Sequence, residues 1–535
     1  MRIYNQLPLP NPGRSIRLAT IKPGWPADII SVELSVVPDR DKAPPYDALS
    51  YVWGSTSCTD VILCNGSLRA VTKNLVSALR ALRPLPATGD LAEHGIHVID
   101  ENHMLHSTRR AWNGFARNRY EPGAIESRRM VDGVDQDAGL SIWIDALCIN
   151  QNDLTECSEQ VKGMREIYGS ARQVHIWLGN GLTAPSGARL DIPIQKASML
   201  NRILGHVRLA ECGHMPVVLS FLAHALSIER AFGAKYDPKT ADKLPFGFPS
   251  MWAPEWLILK GFFDRDWFRR VWIVQEIAMA QEAIILIGDW EIDWEPFTRA
   301  VKMYKLLGTE LSQSVRTFST FGRESIFYGI PLDPALYLCD ISQVSPLRSN
   351  HLFDLLASGY RRKASKSVDY IYALLGIANQ VVHLDQIQPP SGWSLCSLSS
   401  LIDIDYTKPL SLVYRDVTIF VILTHNALLP FNMVEYPGNE ETSNTPSWVP
   451  SWNRTPRSPL FWLDGESAKA FHTDLGRRME VTVNQQLNEL HVGGYLLEDI
   501  KAISVPLRQS VAGNELVWYP PKEEEIHHHA IQAEM

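Results

Sequence analysis

At 535 residues, with 45% hydrophobic and 21% charged side chains, the chain is long enough for more than one core, and its composition argues against disorder, collagen-like repeats or a coiled coil. A formal net charge of −8 with a pI near 6.1 gives no electrostatic reason to expect nucleic acid or an anionic membrane surface as a partner. Seven cysteines without a CxxC pair, and a start (MRIYNQLPLP) lacking the basic and apolar regions of a signal peptide, point to free thiols and a cytoplasmic location.

In chain order, YDALSYVWG (46–54) is a short apolar run ending in glycine, which suits a buried strand. In DVILCNGSLRAVT, Asn65-Gly66 stands between two β-prone runs; both residues tolerate positive φ, so a type I′ hairpin is predicted. Thr72 is placed to cap a helix in which Leu75, Ala78, Leu79 and Leu82 share one face, with Pro84 beyond its end. Residues 85–139 break this rhythm. Arg109, Arg110, Arg117, Arg119, Arg128 and Arg129 lie there among Glu121, Glu126, Asp132, Asp135 and Asp137, and the mixture reads as an inserted, partly disordered, solvated loop rather than an anion or RNA site.

Order returns with LSIWIDALC (140–148), predicted as a strand buried on both faces, then a turn at 150–153. A helix bearing Val161, Met164, Ile167, Tyr168 and Ala171 on one side follows, and then a second buried strand, QVHIWLG (173–179). Strand, helix and strand make a βαβ unit, so the strands are predicted to be parallel with a right-handed crossover. After a less regular stretch (180–250), Phe268, Val271, Trp272, Gln275 and Met279 fall at helical spacing, and EAIILIGDWEIDW reads as a hairpin about Gly288-Asp289. Beyond 300 the pattern is mainly helical, then Pro- and Trp-rich (PSWVPSWNR, 446–454), with a short β-like part and a charged, frayed tail from Pro520. The apolar stretch 411–431 contains Arg415, Asp416 and His425 and reads as buried core, not a membrane span.

Three blocks, YDALSYVWG (46–54), IWIDALCINQNDLTECSEQV (142–161) and RDWFRRVWIVQEIAMA (265–280), resemble in sequence and order the fungal heterokaryon-incompatibility (HET) domain family. SVDYIYALLGIA, DYTKPLSLVYRDVT and PSWVPSW look like the C-terminal extension of a subclass of that family. The chain departs from the pattern where Glu156 is followed by Cys157 instead of an arginine, and in the length of the 85–139 insert. The resemblance implies a flank (1–43), a HET domain (44–300), a mainly helical C-terminal region with a small β part (301–519) and a tail (520–535). It implies an α/β fold with a parallel, TIR- or flavodoxin-like sheet carrying hairpin additions. The function implied is non-self recognition, with growth arrest and cell death when incompatible hyphae fuse, through self-association or other incompatibility proteins, without nucleic acid or membrane insertion.

The likeness to TIR domains adds an alternative, a NAD-cleaving glycohydrolase that needs no cofactor and takes NAD as substrate. Glu276 would then be the catalytic carboxylate, stabilising the oxocarbenium-like sugar left when nicotinamide departs. Ligands bind beyond the carboxyl ends of parallel strands, which makes Asp145, Asn150, Gln151, Trp53, Gly54, Trp272 and Gln275 the substrate-binding candidates. Each has a plainer reading: Glu276 as an ion-pair partner of Arg269, Arg270 or another chain's basic residue, Asp145 as the cap of a turn, and Trp53, Trp143, Trp177 and Trp272 as core. Cys148 has no histidine placed to activate it and reads as a structural thiol. There is no GxSxG or GxxxxGK motif, and the pairs His94/His97 and His103/His106 lack cysteine partners, so no metal is expected.

Overall fold

The computed structural model describes residues 2–55, 57, 59–98, 115–129, 139–181, 215–232, 255–304, 333–342, 351–359, 362–386, 392–425, 429–434, 445–453, 481–484, 489–492, 508–512 and 515–519. Residues 1–464 form one compact unit and residues 465–535 a second.

The first unit is built on a sheet of ten strands: β1 (Ile16–Ile21), β2 (Ser31–Val37), β3 (Asp47–Tyr51), β4 (Thr59–Cys64), β5 (Ser67–Thr72), β6 (Ala116–Asn118), β7 (Leu140–Trp143), β8 (Val174–Trp177), β9 (Ala283–Ile287) and β10 (Trp290–Asp293). Their order is β5-β4-β2-β1-β7-β3-β8-β9-β10-β6. The central four, β7-β3-β8-β9, are parallel, whereas β1, β6 and β10 join through antiparallel ladders, and β2 is antiparallel to β1 and parallel to β4. The protein is therefore mixed α/β, with a parallel centre and hairpin additions. The two strands of the predicted βαβ unit both run parallel to β3, which lies between them.

Local signals account for several elements. Asn65 (φ 46°) and Gly66 (φ 77°) turn β4 into β5, and Thr72 Oγ1 accepts the Leu75 amide at 3.3 Å to cap the helix Lys73–Leu82. The β9–β10 hairpin turns at Gly288, whose φ of 54° is positive as the first position of a II′-type turn requires. Asn65 does more than turn the chain. β2 and β4 pair over two residues only, and the Asn65 carboxamide extends the contact by accepting the Leu34 amide at 2.7 Å and donating to the Leu34 carbonyl at 3.0 Å. Asn65→Ala removes both bonds and places a β-carbon residue less suited to positive φ. It is expected to cost about 2 kcal/mol in urea unfolding; a loss below about 0.5 kcal/mol would show that β4 and β5 dock without it.

Four expectations are corrected. The strand at 140–148 stops at Trp143, and Asp145–Cys148 is a helical turn; a continuous apolar run has no period to separate the two. The following helix is two, Leu154–Lys162 and Met164–Ser170, divided at Gly163, although Val161, Met164, Ile167, Tyr168 and Ala171 are all buried as expected. The helical spacing at 268–279 spans a break: a 3-10 turn (Asp266–Arg269) and an extended Arg270 precede a helix restricted to Ile273–Met279. The stretch expected to be less regular contains the helix Met215–Phe232.

Part of the predicted inserted loop belongs to the sheet, because β6 pairs with β10 and leads into the helix Pro122–Arg129. Arg119 is buried rather than solvated. Arg109 and Arg110 lie outside the described residues. The N-terminal flank likewise supplies β1 and β2 to the sheet. Beyond 300 the described part of the first unit is helical, with helices at Asp333–Ser342, Leu352–Gly359, Asp369–Leu375, Asn379–Val382, Leu395–Leu401 and Leu410–His425. In the last of these Asp416 is buried between Lys408 and Arg415. Among the described residues no helix is long and apolar enough to cross a membrane. The second unit contains two antiparallel hairpins, Val481–Asn484 with Glu489–Val492 and Arg508–Ala512 with Glu515–Tyr519. The tail from Pro520 lies outside the described residues.

Candidate functional site

The loop leaving β3 and the turn leaving β7 meet at the carboxyl edge of the parallel centre, where ligands bind in sheets of this kind. A cavity of about 610 Å³ opens there, and Trp53, Gly54, Asp145, Gln151, Arg270 and Trp272 all line it. Ligand pockets commonly span roughly 300–1,000 Å³. Its other wall comes from far along the chain: Lys363, Lys366, Asp369 and Tyr406.

Asp145 organises the near wall. Its Oδ2 accepts the Trp53 indole N–H at 2.7 Å and lies 3.5 Å from Arg270 Nη2, while Oδ1 accepts the Ala146 amide at 2.7 Å. Gln151 Nε2 donates to the Asp145 carbonyl at 3.1 Å. Asp145 thus binds the second amide of its own turn, whose N-cap is Ile144, and also faces the cavity. On the far wall the Tyr406 hydroxyl donates to Asp369 Oδ1 at 2.8 Å, and Lys366 Nζ sits 4.5 Å from the centre of the Tyr406 ring. Burial raises the Asp369 carboxyl above its ordinary range, against the hydrogen bonds from Tyr406 and Trp272. Burial and the neighbouring Asp369 drive the Tyr406 phenol far upward. Lys363 is engaged by Asp266 at 2.8 Å. The cavity therefore offers aromatic faces, fixed cations and fixed carboxylates, an inventory suited to holding a polar ligand with a flat ring.

Arg270 links this cavity to a buried layer behind it. Its guanidinium, about one-fifth exposed, donates to the Tyr51 carbonyl and reaches Asp145 at 3.5 Å and Glu276 Oε1 at 3.9 Å. Glu276 is 1% exposed and is not among the lining residues. Its Oε2 accepts a short hydrogen bond from Ser50 Oγ, which in turn accepts the Trp267 indole N–H at 2.9 Å. Burial pushes the Glu276 carboxyl up to about 7, against the pull of Arg270 and Ser50. A carboxylate that shelters a developing positive charge on a sugar must reach the substrate. Glu276 lies behind Arg270, so the glycohydrolase alternative gains no support from this arrangement.

The remaining candidates separate as follows. Asn150 is off the cavity; its amide donates to Glu156 Oε1 at 2.7 Å. Gln275 is 2% exposed and packs on Gly376, where a β-carbon would collide with its carboxamide. Trp143 and Trp177 are core, while Trp53 and Trp272 show an edge to the cavity. Cys148 is fully buried and its thiol is pushed up to about 12 by burial, the state of an unreactive structural cysteine. His94 stacks on Trp25 at 3.9 Å, and His103 and His106 lie outside the described residues. Among the described residues no group of His, Cys, Asp and Glu could hold a metal ion. Sequence reasoning missed the far wall, although its residues stand in or beside two phrases that carried the family resemblance, SVDYIYALLGIA and DYTKPLSLVYRDVT.

The site belongs to an α/β protein whose ligand-sized cavity is formed by the three N-terminal sequence blocks together with two C-terminal ones. The model of the family described as heterokaryon incompatibility protein (HET) matches residues 126–276, so this segment is similar to that family. Heterokaryon incompatibility protein 6, OR allele, of Neurospora crassa is 26% identical over 470 residues, covering 84% of this chain and 59% of that protein. The chain thus spans under two-thirds of that relative's length. No solved structure matches the chain.

Proposed function

We propose that this protein acts in heterokaryon incompatibility: when incompatible hyphae of a filamentous fungus fuse, its HET domain triggers growth arrest and cell death. The domain works as a cytoplasmic signalling module, through self-association or contact with other incompatibility proteins. The observation that carries the reading is that similarity to the Neurospora protein extends over 84% of the chain, well beyond the segment 126–276 that the family model matches. In this reading the cavity is the sensing or coupling element of the module, and Asp145 is its organiser.

Induced expression in a filamentous fungus tests the proposal. Wild-type protein is expected to arrest growth, and Asp145→Asn, which keeps the side-chain shape but removes the charge that orders Trp53 and Arg270, is expected to restore growth at equal protein abundance. Arrest that persists undiminished in Asp145→Asn separates the function from the cavity, and wild-type expression without effect on growth defeats the proposal. Purified protein is expected to release no nicotinamide from NAD; release that disappears in Glu276→Ala would instead establish the enzyme reading.

A further inference from the structure

A second cavity, about 490 Å³, lies beyond the carboxyl ends of β8 and β9 and is lined by Trp177 and Gly288 from those strand ends, with Arg80, Arg83, Arg119 and Arg128. In open α/β sheets ligands are commonly held beyond the carboxyl ends of the parallel strands.

The arginines come from three separate places: the end of the helix Lys73–Leu82, the residue after β6, and the helix Pro122–Arg129. Arg83 is 2% exposed and Arg119 6%. Charges this deeply buried need partners, and the protein supplies few. Arg83 donates to the Asp28 carbonyl at 3.0 Å and to the Trp25 carbonyl, and Arg119 donates to the Ala81 carbonyl. Arg128 Nη2 donates to the Arg83 carbonyl at 3.3 Å. Carbonyl dipoles do not neutralise three cations. Glu291 Oε1 approaches Arg119 Nε at 3.6 Å, but Glu291 also pairs with Arg117. Among the described residues no carboxylate lies within salt-bridge distance of Arg83 or Arg128. Among the described residues Arg119 Nε and Arg128 Nε have no hydrogen-bond partner. Burial, with Arg119 and Arg83 close by, pushes the Arg128 guanidinium down to about 9 against the pull of Tyr120 and Glu291.

We propose that this cavity binds a phosphorylated small molecule, with Arg83, Arg119 and Arg128 gripping its phosphoryl group and Arg80 at the rim. Guanidinium forks match phosphate oxygens in geometry and charge, and unsatisfied N–H donors are what such an anion would fill. Tyr120 and Trp290 also line the cavity and leave space for a base or ring beside the phosphate.

Thermal unfolding and calorimetric titration of the full chain test this, using pyrophosphate, ADP and inositol hexakisphosphate against sodium chloride of equal ionic strength. The proposal expects a Tm rise of about 2 °C or more with at least one phosphorylated probe. ADP exceeding pyrophosphate assigns the site to nucleotides; inositol hexakisphosphate exceeding both assigns it to polyphosphorylated rings. Arg128→Gln is expected to weaken that binding about tenfold or more while leaving the ligand-free protein as stable as wild type or more so, since a repelling charge is gone. Arg80→Gln, whose half-exposed side chain is not needed for folding, should weaken binding severalfold and serves if Arg128→Gln does not fold. Absence of any shift beyond the salt control, or binding unchanged in the variant that folds, overturns the proposal. So does an Arg128→Gln protein that folds but is clearly less stable than wild type, because the guanidinium would then be satisfied from within.

Discussion

Glu156→Ala is expected to destabilise the protein by about 3–5 kcal/mol, the usual consequence of leaving one member of a buried ion pair alone. Arg17 is fully buried on β1 and meets Glu156 in a two-pronged contact, Nη1 to Oε1 at 2.6 Å and Nη2 to Oε2 at 3.1 Å. Its remaining donors go to the Cys148 carbonyl at 3.0 Å and the Leu7 carbonyl at 2.8 Å. Glu156 Oε1 also accepts the Asn150 amide. One ion pair therefore ties the N-terminal segment, an antiparallel strand and the loop that carries Gln151 to the cavity. Arg17→Met should cost a similar amount. The double change Arg17→Met/Glu156→Met should recover most of the loss, because an apolar pair of like volume carries no desolvation penalty. Urea unfolding of the wild type, Arg17→Met, Glu156→Met and the double variant gives the coupling directly. If Glu156→Ala costs under about 1 kcal/mol, or if the two single losses simply add, the pair is not the tie described. Cys157, which stands where the family commonly places an arginine, lines the cavity beside this pair, so the departure changes the cavity wall and leaves the Arg17 tie intact.

What could be read from the sequence was whatever a few consecutive residues decide. Asn65-Gly66, the Thr72 cap and the Gly288 turn depend on local backbone chemistry, and each stands where expected. The parallel relation of β7 and β8 was legible for the same reason, but not the insertion of β3 between them, which is fixed by ladders that pair Asp47 with Ile142 and Ala48 with Val174, far apart in sequence. The helix expected across 268–279 failed at Arg270, whose extended backbone bridges to Lys363; no pattern near Arg270 announces that partner. The near wall of the cavity emerged because the three N-terminal blocks carry it, and Trp53, Gly54, Asp145, Gln151 and Trp272 line it together. Asn150, Gln275 and Glu276 stand close to these in sequence but off the cavity wall: the Asn150 backbone N–H donates to Glu156, the Gln275 carboxamide packs on Gly376, and the Glu276 carboxyl accepts from Ser50. The sequence also offered Arg269 or Arg270 as the partner of Glu276. The geometry divides them: Arg269 goes to Asp264 at 2.6 Å, and Arg270 approaches Glu276 from the cavity side.

That last contact makes stability depend on pH in a defined direction. Burial raises the Glu276 carboxyl from an ordinary 4.5 to about 7 in the folded protein. Between those values the folded state holds a proton that the unfolded chain has released, so stability contributed by this group is full below about pH 4.5 and declines as pH rises towards 7. The shift corresponds to about 3 kcal/mol. Glu276→Gln keeps the hydrogen bond with Ser50 available and cannot ionise, so it lacks this decline. Measured by urea unfolding from pH 5 to pH 8, the wild type should lose stability relative to Glu276→Gln, with most of the change complete by pH 7.5. Glu276→Ala should be worse than either at every pH, since it leaves Ser50 without its acceptor and opens a void beside Trp267. Parallel pH profiles for wild type and Glu276→Gln would mean that Glu276 ionises no differently in the folded protein, and the burial argument would fail. If the profiles diverge as expected, protonation of Glu276 also governs how strongly Arg270 is drawn away from Asp145. The buried carboxyl would then set the charge that the cavity presents near neutral pH, without ever touching what binds there.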